Sequence, residues 1–330
     1  MSDLAVKDSA VKAGVLPELE EHRGELTGYC YRMLGSAFDA DDAVQETLVR
    51  AWQAYERFEG RSSLRSWLYR IATNVCLDSL RSRQRRALPM DLSSPVPSST
   101  APVDTLPETA WIEPIPDGDV VPADGDPAQR AVMQDTIRLA FVAALQHLPP
   151  KQRAVLILRE VLCWQASEVA ELLETSVASV NSALQRARAT LSASSPSDSD
   201  PSKPMAEADK VLLARYVAAF ERYDIDSLVT LLHEDASISM PPFSMWLQGH
   251  EDLKGFYLGY GSGCRGSRLV PLVANGSPAF GHYKPTETPG HYEPWAIQVL
   301  EVTDGRISHV HHFLDTALFA RFGLPDALDD

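Results

Sequence analysis

Residues 165–188 read QASEVAELLETSVASVNSALQRAR, and their spacing fits two short helices joined by a tight turn. Ala170 is small enough for the helices to cross closely, and Val169, Leu173, Val180 and Ala183 supply a shared apolar side. Thr175 and Ser176 make a polar turn, and either can cap the following helix, expected over 177–191. Glu174 works against the pattern: such a turn favours glycine there, and a left-handed backbone would cost about 1 kcal/mol. The outward residues of the second helix are Ser179, Asn181, Ser182, Gln185, Arg186 and Arg188. These side-chain types hydrogen-bond base edges and phosphates. Plain helical hairpins share the spacing, so the motif needs a second signal.

That signal lies upstream. Asp39, Ala40, Asp41 and Asp42 open a helix, with acids suited to its N-terminal dipole. Val44, Leu48, Ala51 and Trp52 then recur as one apolar stripe, leaving Gln45, Glu46, Val49 and Arg50 to point elsewhere. In the next segment Leu64, Trp67, Leu68, Ile71, Ala72 and Val75 form one helical face. From position 61 to 86 there are seven arginines and a single acid, Asp78, a local charge of +6 in a chain whose net charge is -15. Clustered arginines on a helix are an electrostatic footprint for phosphate, and Trp67 and Tyr69 add rings able to stack on unpaired bases. The plainer alternative is a solvated basic face with Trp67 in the core.

Together these stretches resemble the extracytoplasmic-function (ECF) sigma factors of the sigma-70 family. The matching phrases are DADDAVQETLVRAWQAYERF (39–58), GRSSLRSWLYRIATNVCLDSLR (60–81) and LPPKQRAVLILREVLCWQASEVAELLETSVASVNSALQRARATL (148–191). They correspond to regions 2.1–2.2, 2.3–2.4 and 4 of that family. The resemblance implies that Asp42, Ala43, Val44 and Gln45 grip the β′ subunit of core RNA polymerase, the β subunit being a further partner. It implies that Arg61, Arg65, Trp67, Arg70, Asn74, Arg81, Arg85 and Arg86 hold the melted −10 element of promoter DNA. Ser179, Asn181, Ser182, Gln185, Arg186 and Arg188 would then read the −35 element.

Residues 88–127 carry nine prolines and eight acids, with no lysine or arginine. Such a composition predicts a linker that cannot bury enough apolar surface to become ordered. In the family this segment lies on the RNA path, so the acids would either mimic RNA or do nothing beyond tethering. A second linker, SASSPSDSDPSKP, covers 192–204.

Beyond 205 the pattern changes. Helices are expected over 207–222, 226–233 and 250–258, and strands over 236–240, 268–274, 279–283, 294–302 and 306–314, the last two joined by an Asp304-Gly305 hairpin turn. Helices followed by an antiparallel sheet give an α+β domain. It resembles the SnoaL-like members of the NTF2-like fold, a cone with a pocket, and through ARYVAAFERYDIDSLVTLL, VANGSPA and HFLDTALFARFGLPDAL the whole chain resembles the SigG-like group of ECF factors. His309, His311 and Phe313 share one face of the last strand, with Val310, His312 and Leu314 on the other. His233, Trp246, His309 and His311 are the candidate pocket residues, with Asp315 within reach.

The expected architecture is therefore multidomain: a tail (1–17), an all-α region 2 bundle (18–87), the acidic linker (88–128), an all-α region 4 helix-turn-helix domain (129–191), a short linker (192–204) and an α+β NTF2-like cone (205–330). The expected function is a non-catalytic promoter-specificity factor with a regulatory C-terminal domain. The alternatives are a ligand-sensing helix-turn-helix regulator and a SnoaL-like enzyme with a DNA-binding appendage. Promoter DNA and core polymerase are the expected partners; an anti-sigma factor and a small-molecule ligand of the cone are further candidates. Cys30, Cys76, Cys163 and Cys264 show no metal-ligand spacing, so no metal or cofactor is expected. No stretch approaches the ~20 apolar residues that span a bilayer, so the expected location is the cytoplasm, away from membrane.

Overall fold

The computed structural model describes residues 16–81, 83–100, 104–121, 126–194 and 207–329. The first tail residues, Asp124 of the acidic linker and most of the second linker lie outside them. The chain divides into two compact units: residues 1–86 with 118–196, and residues 87–117 with 197–330.

In the first unit a corner is set by Gly35 and Ser36. Gly35 takes φ 73°, which its missing Cβ permits, and its N–H closes helix α1 (Arg23–Leu34) on Tyr31 O at 2.7 Å. Ser36 Oγ accepts from Asp39 N–H at 3.1 Å and starts α2 (Ala37–Ala54). The helix thus begins before the acids expected to open it. Asp39, already inside the first turn, receives the guanidinium groups of Arg86, at 2.7 Å, and of Arg83. Helix α3 (Leu64–Leu80) packs on both, burying Leu26, Tyr29, Val44, Leu48, Leu68 and Ala72. At the centre Tyr29 Oη and Thr73 Oγ1 satisfy one another at 2.8 Å.

The second half of this unit holds α4 (Pro127–Asp135), α5 (Leu139–Gln146), α6 (Pro150–Leu156), α7 (Ala166–Leu172) and α8 (Val177–Ser194). Two buried arginines sew it to α1. Arg32 donates to Gly28 O at 2.8 Å, Thr136 O at 3.1 Å and Thr136 Oγ1 at 2.8 Å. Arg153 donates to Gln146 Oε1 at 2.5 Å, to Leu148 O at 3.2 Å and to Met33 O. Burial pulls both guanidinium groups down to about 10. Carbonyls, most of them at helix ends and one, Gly28 O, inside α1, compensate these charges.

The second unit is built on one sheet with strand order β2-β1-β6-β5-β4-β3, from β1 (Leu232–Ser239), β2 (Trp246–Gln248), β3 (Arg268–Ala274), β4 (Ser277–Pro285), β5 (His291–Thr303) and β6 (Arg306–Phe313), while the short β7 (Leu328–Asp329) pairs with β5. The expected strands are present, but the sheet is mixed: β1 runs parallel to β6. Both tight hairpins have two consecutive positive φ values, at Asn275-Gly276 and at the expected Asp304-Gly305. Helices α9 (Glu207–Glu221), α10 (Ile225–Thr230) and α11 (His250–Leu258) cover one face, packing Phe220, Leu228 and Phe256 into a core with Ile238, Leu300 and Val310. A final short helix, α12 (Ala317–Arg321), follows β6.

The acidic, Pro-rich segment is not left without structure. It forms a strap on the second unit. Val96 N–H donates to Trp246 O at 2.9 Å, Leu106 N–H to Pro242 O at 3.0 Å, and Ser244 N–H to Asp104 O at 3.0 Å. Further along, Asn275 N–H donates to Ile115 O at 3.1 Å, Asn275 Oδ1 accepts from Ile115 N–H at 3.0 Å, and Asp117 accepts from Gly276 N–H at 2.8 Å. Trp111, Ile112 and Ile115 are buried. The composition argument fails here because three large apolar side chains, backed by hydrogen bonds to a distant part of the chain, offset the ordering entropy.

Candidate nucleic-acid interface

Helix α2 presents the first candidate surface. Asp42 and Gln45 are exposed, whereas Ala43 and Val44 are 4% and 0% exposed and belong to the bundle core. The expected four-residue grip therefore reduces, at the surface, to its two polar members. Their neighbours at helical spacing, Glu46, Val49, Arg50 and Gln53, are exposed as well and make one continuous stripe. Val49 is apolar yet 39% exposed in the middle of it. Periodicity alone set Val49 apart from the buried stripe without marking it as part of a surface.

The arginine-rich helix divides more sharply. Arg61 and Arg81 are open to solvent beside Glu59 and Asp78, and Asn74 is exposed between them in sequence. Trp67 is half-buried, stacked on Phe58 at 4.9 Å and set edge-on to Tyr55, giving an aromatic cluster at the start of α3. Phe58 and Tyr55 were not among the expected residues; their signal, two rings just before the arginine run, was present in the sequence. Arg85 Nη1 lies 2.7 Å from His147 Nδ1. Arg86 is only 6% exposed and bound to Asp39, so it serves the corner of the bundle and is withdrawn from any ligand. Tyr69 is fully buried, edge-on to Tyr29, and burial pushes its phenol far above the ordinary range.

Arg65, Tyr69 and Arg70 meet residues from the second half of the unit. The Arg65 guanidinium reaches Glu25 at 2.7 Å and lies over the rings of Tyr69 and Trp164, 5.1 Å and 5.4 Å from their centroids. Trp164 also packs on Tyr69, with centroids 5.1 Å apart. Arg70 donates to Glu171 O at 3.4 Å and has the Glu171 carboxylate 3.8 Å away. The turn that carries Trp164 is strained. A π-helical turn, Ile157–Val161, precedes it, Cys163 takes φ 55°, and among the described residues no acceptor reaches the buried Trp164 Nε1. A non-glycine residue in that region costs roughly 1–2 kcal/mol, and an unmet buried N–H about as much.

The helix-turn-helix forms as its spacing predicts. Ser176 Oγ accepts from Ser179 N–H at 3.1 Å and caps α8. Glu174 has φ 51°, the left-handed conformation anticipated for it. Val169, Ala170, Leu172, Val180, Leu184 and Ala187 are buried, with Leu173 and Ala183 half-buried at the margin. Ser179, Asn181, Ser182, Gln185, Arg186 and Arg188 are all exposed on one helix, and of these Arg188 pairs with Glu160 at 2.6 Å.

In the second unit the expected pocket residues do not converge. Strand parity places Val310 and His312 on the helix-covered face and His309 and His311 on the opposite one. His309 Nδ1 lies 2.6 Å from Ser237 Oγ and His311 Nδ1 lies 3.0 Å from Ser239 Oγ, in a stacked pair with ring centroids 5.9 Å apart. Trp246 Nε1 donates to Ser93 O of the strap at 2.9 Å, and the His233 carbonyl oxygen lies 2.9 Å from His250 Nε2. The interior polar group is a different set. Tyr216 Oη donates to Gln298 Oε1 at 3.0 Å, Gln298 Nε2 donates to His282 Nδ1 at 3.1 Å, and His282 Nε2 lies 2.9 Å from Ser267 Oγ. His312 stands beside His282, with rings 6.4 Å apart. Burial, reinforced by His311 and Lys284, lowers His312 to about 3. A cavity of about 90 Å³ does open elsewhere, between Trp111 and Ile112 of the strap and Pro241, Phe313 and Leu318 of the cone.

Comparison with known proteins agrees with this layout. Residues 19–86 match the model for Sigma-70 region 2, residues 138–191 that for Sigma-70 region 4, and residues 213–310 that for the SnoaL-like domain. The chain is 48% identical over 318 residues to the ECF RNA polymerase sigma factor SigG of Mycobacterium tuberculosis, covering 94% of this chain and 83% of that protein. It is 29% identical over 267 residues to SigJ of the same organism, covering 78% and 77%. The crystal structure of SigJ superposes with a TM-score of 0.59 at 23% identity, covering 94% of this chain and 99% of that one, which shows a shared fold.

Proposed function

The chain belongs to the ECF RNA polymerase sigma factors, and from that premise we propose how its surfaces divide the work of promoter recognition. Asp42 and Gln45, within the exposed stripe of α2, bind the polymerase β′ subunit. Arg61, Arg65, Trp67, Arg70, Asn74, Arg81 and Arg85 hold the open −10 strand, arginines taking phosphates and the Trp67 cluster taking unstacked bases. Ser179, Asn181, Ser182, Gln185, Arg186 and Arg188 read the −35 duplex in the major groove. The observation that carries the reading is the exposure of all six α8 side chains on a capped helix-turn-helix that shares a unit with the arginine-rich α3.

The cone acts as a regulatory module with no catalysis of its own. Tyr216, Gln298, His282 and Ser267 spend their polar atoms on one another, and burial keeps His282 and His312 neutral. An anti-sigma factor is a candidate partner of the protein, and a small molecule is a candidate ligand of the cone, where the cavity beside the strap offers it room. Of the strap's acids, Asp117 serves as an anchor, its carboxylate accepting from Gly276 N–H of the cone, while Asp91 caps a turn within the strap by accepting from Leu88 N–H.

The experiment is reconstitution with core RNA polymerase on a promoter template. The native protein is expected to give specific initiation. The Asp42→Ala/Gln45→Ala variant is expected to bind core at least about tenfold more weakly, as loss of two polar interface anchors implies, with unchanged circular dichroism. Unchanged core affinity would refute the assignment of α2, and an absence of initiation by the native protein would favour a repressor or an enzyme.

A further inference from the structure

We infer that the cavity between the strap and the cone takes a small organic cation: an amine whose branched apolar body has about four or five carbons. The inference rests on the reading of that cavity as the place of the cone's small ligand. The cavity holds about 90 Å³, room for a body of that size and too little for a large ring system. Trp111 and Ile112 of the strap and Phe313 and Leu318 of the cone line it, and all four are buried. Its inner wall is therefore apolar and favours a hydrocarbon body over water.

The outer part of the lining has the opposite character. Glu108 is exposed and Glu113 and Asp315 are half-buried, and all three border the same cavity. Asp315 is held at the start of α12, where its Oδ1 accepts from Ala317 N–H at 2.9 Å. Among the described residues that line the cavity there is no lysine, arginine or histidine. Three carboxylates around an apolar cleft repel an organic anion and attract an ammonium group. At the solvent-facing mouth that group keeps most of its water, so the penalty of burying a charge is avoided while the body is desolvated. The two walls come from stretches far apart in sequence, so an occupant also fastens the strap to the cone. The amide that reports such fastening is Ile115 N–H, which crosses from the strap to Asn275 Oδ1 at 3.0 Å.

The test is a titration of isotope-labelled full-length protein with isopentylamine, isopentanol and isovalerate, which share a branched skeleton and differ in charge. Binding is read by NMR at the Trp111 indole N–H, which donates to Leu106 O at 3.3 Å. The amine is expected to shift this resonance saturably, with a Kd of about 0.1–1 mM. The alcohol is expected to bind about five- to tenfold more weakly, and the carboxylate not at all. Glu108→Gln/Glu113→Gln is expected to bring the amine down to the affinity of the alcohol and to leave the alcohol unchanged. Should the double variant misfold, Glu108→Gln decides alone: a loss of amine affinity supports the inference, and native affinity overturns it. At an amine concentration ten times Kd, hydrogen exchange at the Ile115 amide is expected to slow by up to about tenfold. Unchanged exchange at saturation overturns the fastening of the strap. An alcohol as tight as the amine, a binding carboxylate, or native amine affinity in the double variant overturns the cation site while the cavity remains a ligand site. If none of the three probes shifts Trp111, the reading of the cavity as the ligand's place falls, an outcome distinct from a wrong choice of charge.

Discussion

Glu174 shows how a single residue can carry a cost that local sequence already announces. The turn of the helix-turn-helix requires a left-handed residue, and the chain supplies one with a Cβ, at φ 51°. Glu174→Gly is therefore expected to raise stability by up to about 1 kcal/mol, the relief of strain being partly offset by glycine's greater entropy when unfolded. Urea denaturation followed by helical circular dichroism measures this directly, and a loss of stability would show that the Glu174 side chain contributes more than the strain it imposes. His312 carries a second residue-scale expectation. Its folded-state pKa is lowered by burial to about 3, below the ordinary value of 6.5. The unfolded chain therefore binds a proton that the folded one refuses between those two values. Stability contributed by the neutral imidazole is full above pH about 6.5 and is lost as pH falls toward 3. His282, also depressed by burial, acts in the same direction. In full-length protein, His312→Gln is expected to flatten the acid limb of stability against pH; an unchanged slope would exclude His312 as a contributor.

Secondary-structure elements were legible in proportion to how local their causes are. Apolar spacing located α2, α3, α7 and α8 because each needs only its own stripe and caps. Alternation likewise separated the two faces of β6, but it could not tell which face the helices cover. That depends on the packing of α9 and α11, and the chosen histidines, His309 and His311, fell on the other side from His312. Arg86 was lost to the candidate −10 surface for a comparable reason: its partner, Asp39, lies at a corner of the bundle set by Gly35 and Ser36. The strap was the least legible element. Nothing near Trp111 or Ile115 in sequence indicates that Asn275 and Gly276 will pair with that segment.

At the scale of the whole molecule, the cone is not a simple appendage, since one of its structural parts, the strap, precedes the helix-turn-helix half in the chain. Removing residues 205–330 deletes the strands and helices against which the strap's apolar side chains are held. The truncated chain is expected to bind a hydrophobic dye such as anilinonaphthalene sulfonate strongly and to initiate transcription differently from the full protein. Dye binding and promoter output both equal to native would remove the cone's regulatory role.

The discontinuity of the second unit also orders events in time. A ribosome completes the strap by Asp117, but β6, the central strand of the sheet, emerges roughly 190 residues later, a delay of about 10–40 s at common rates of synthesis. During that interval the α1–α8 half is finished while Trp111, Ile112 and Ile115 still lack their seat. Each new molecule therefore passes through a stage as a sigma unit without its cone, and a ribosome stalled before β6 would hold it there.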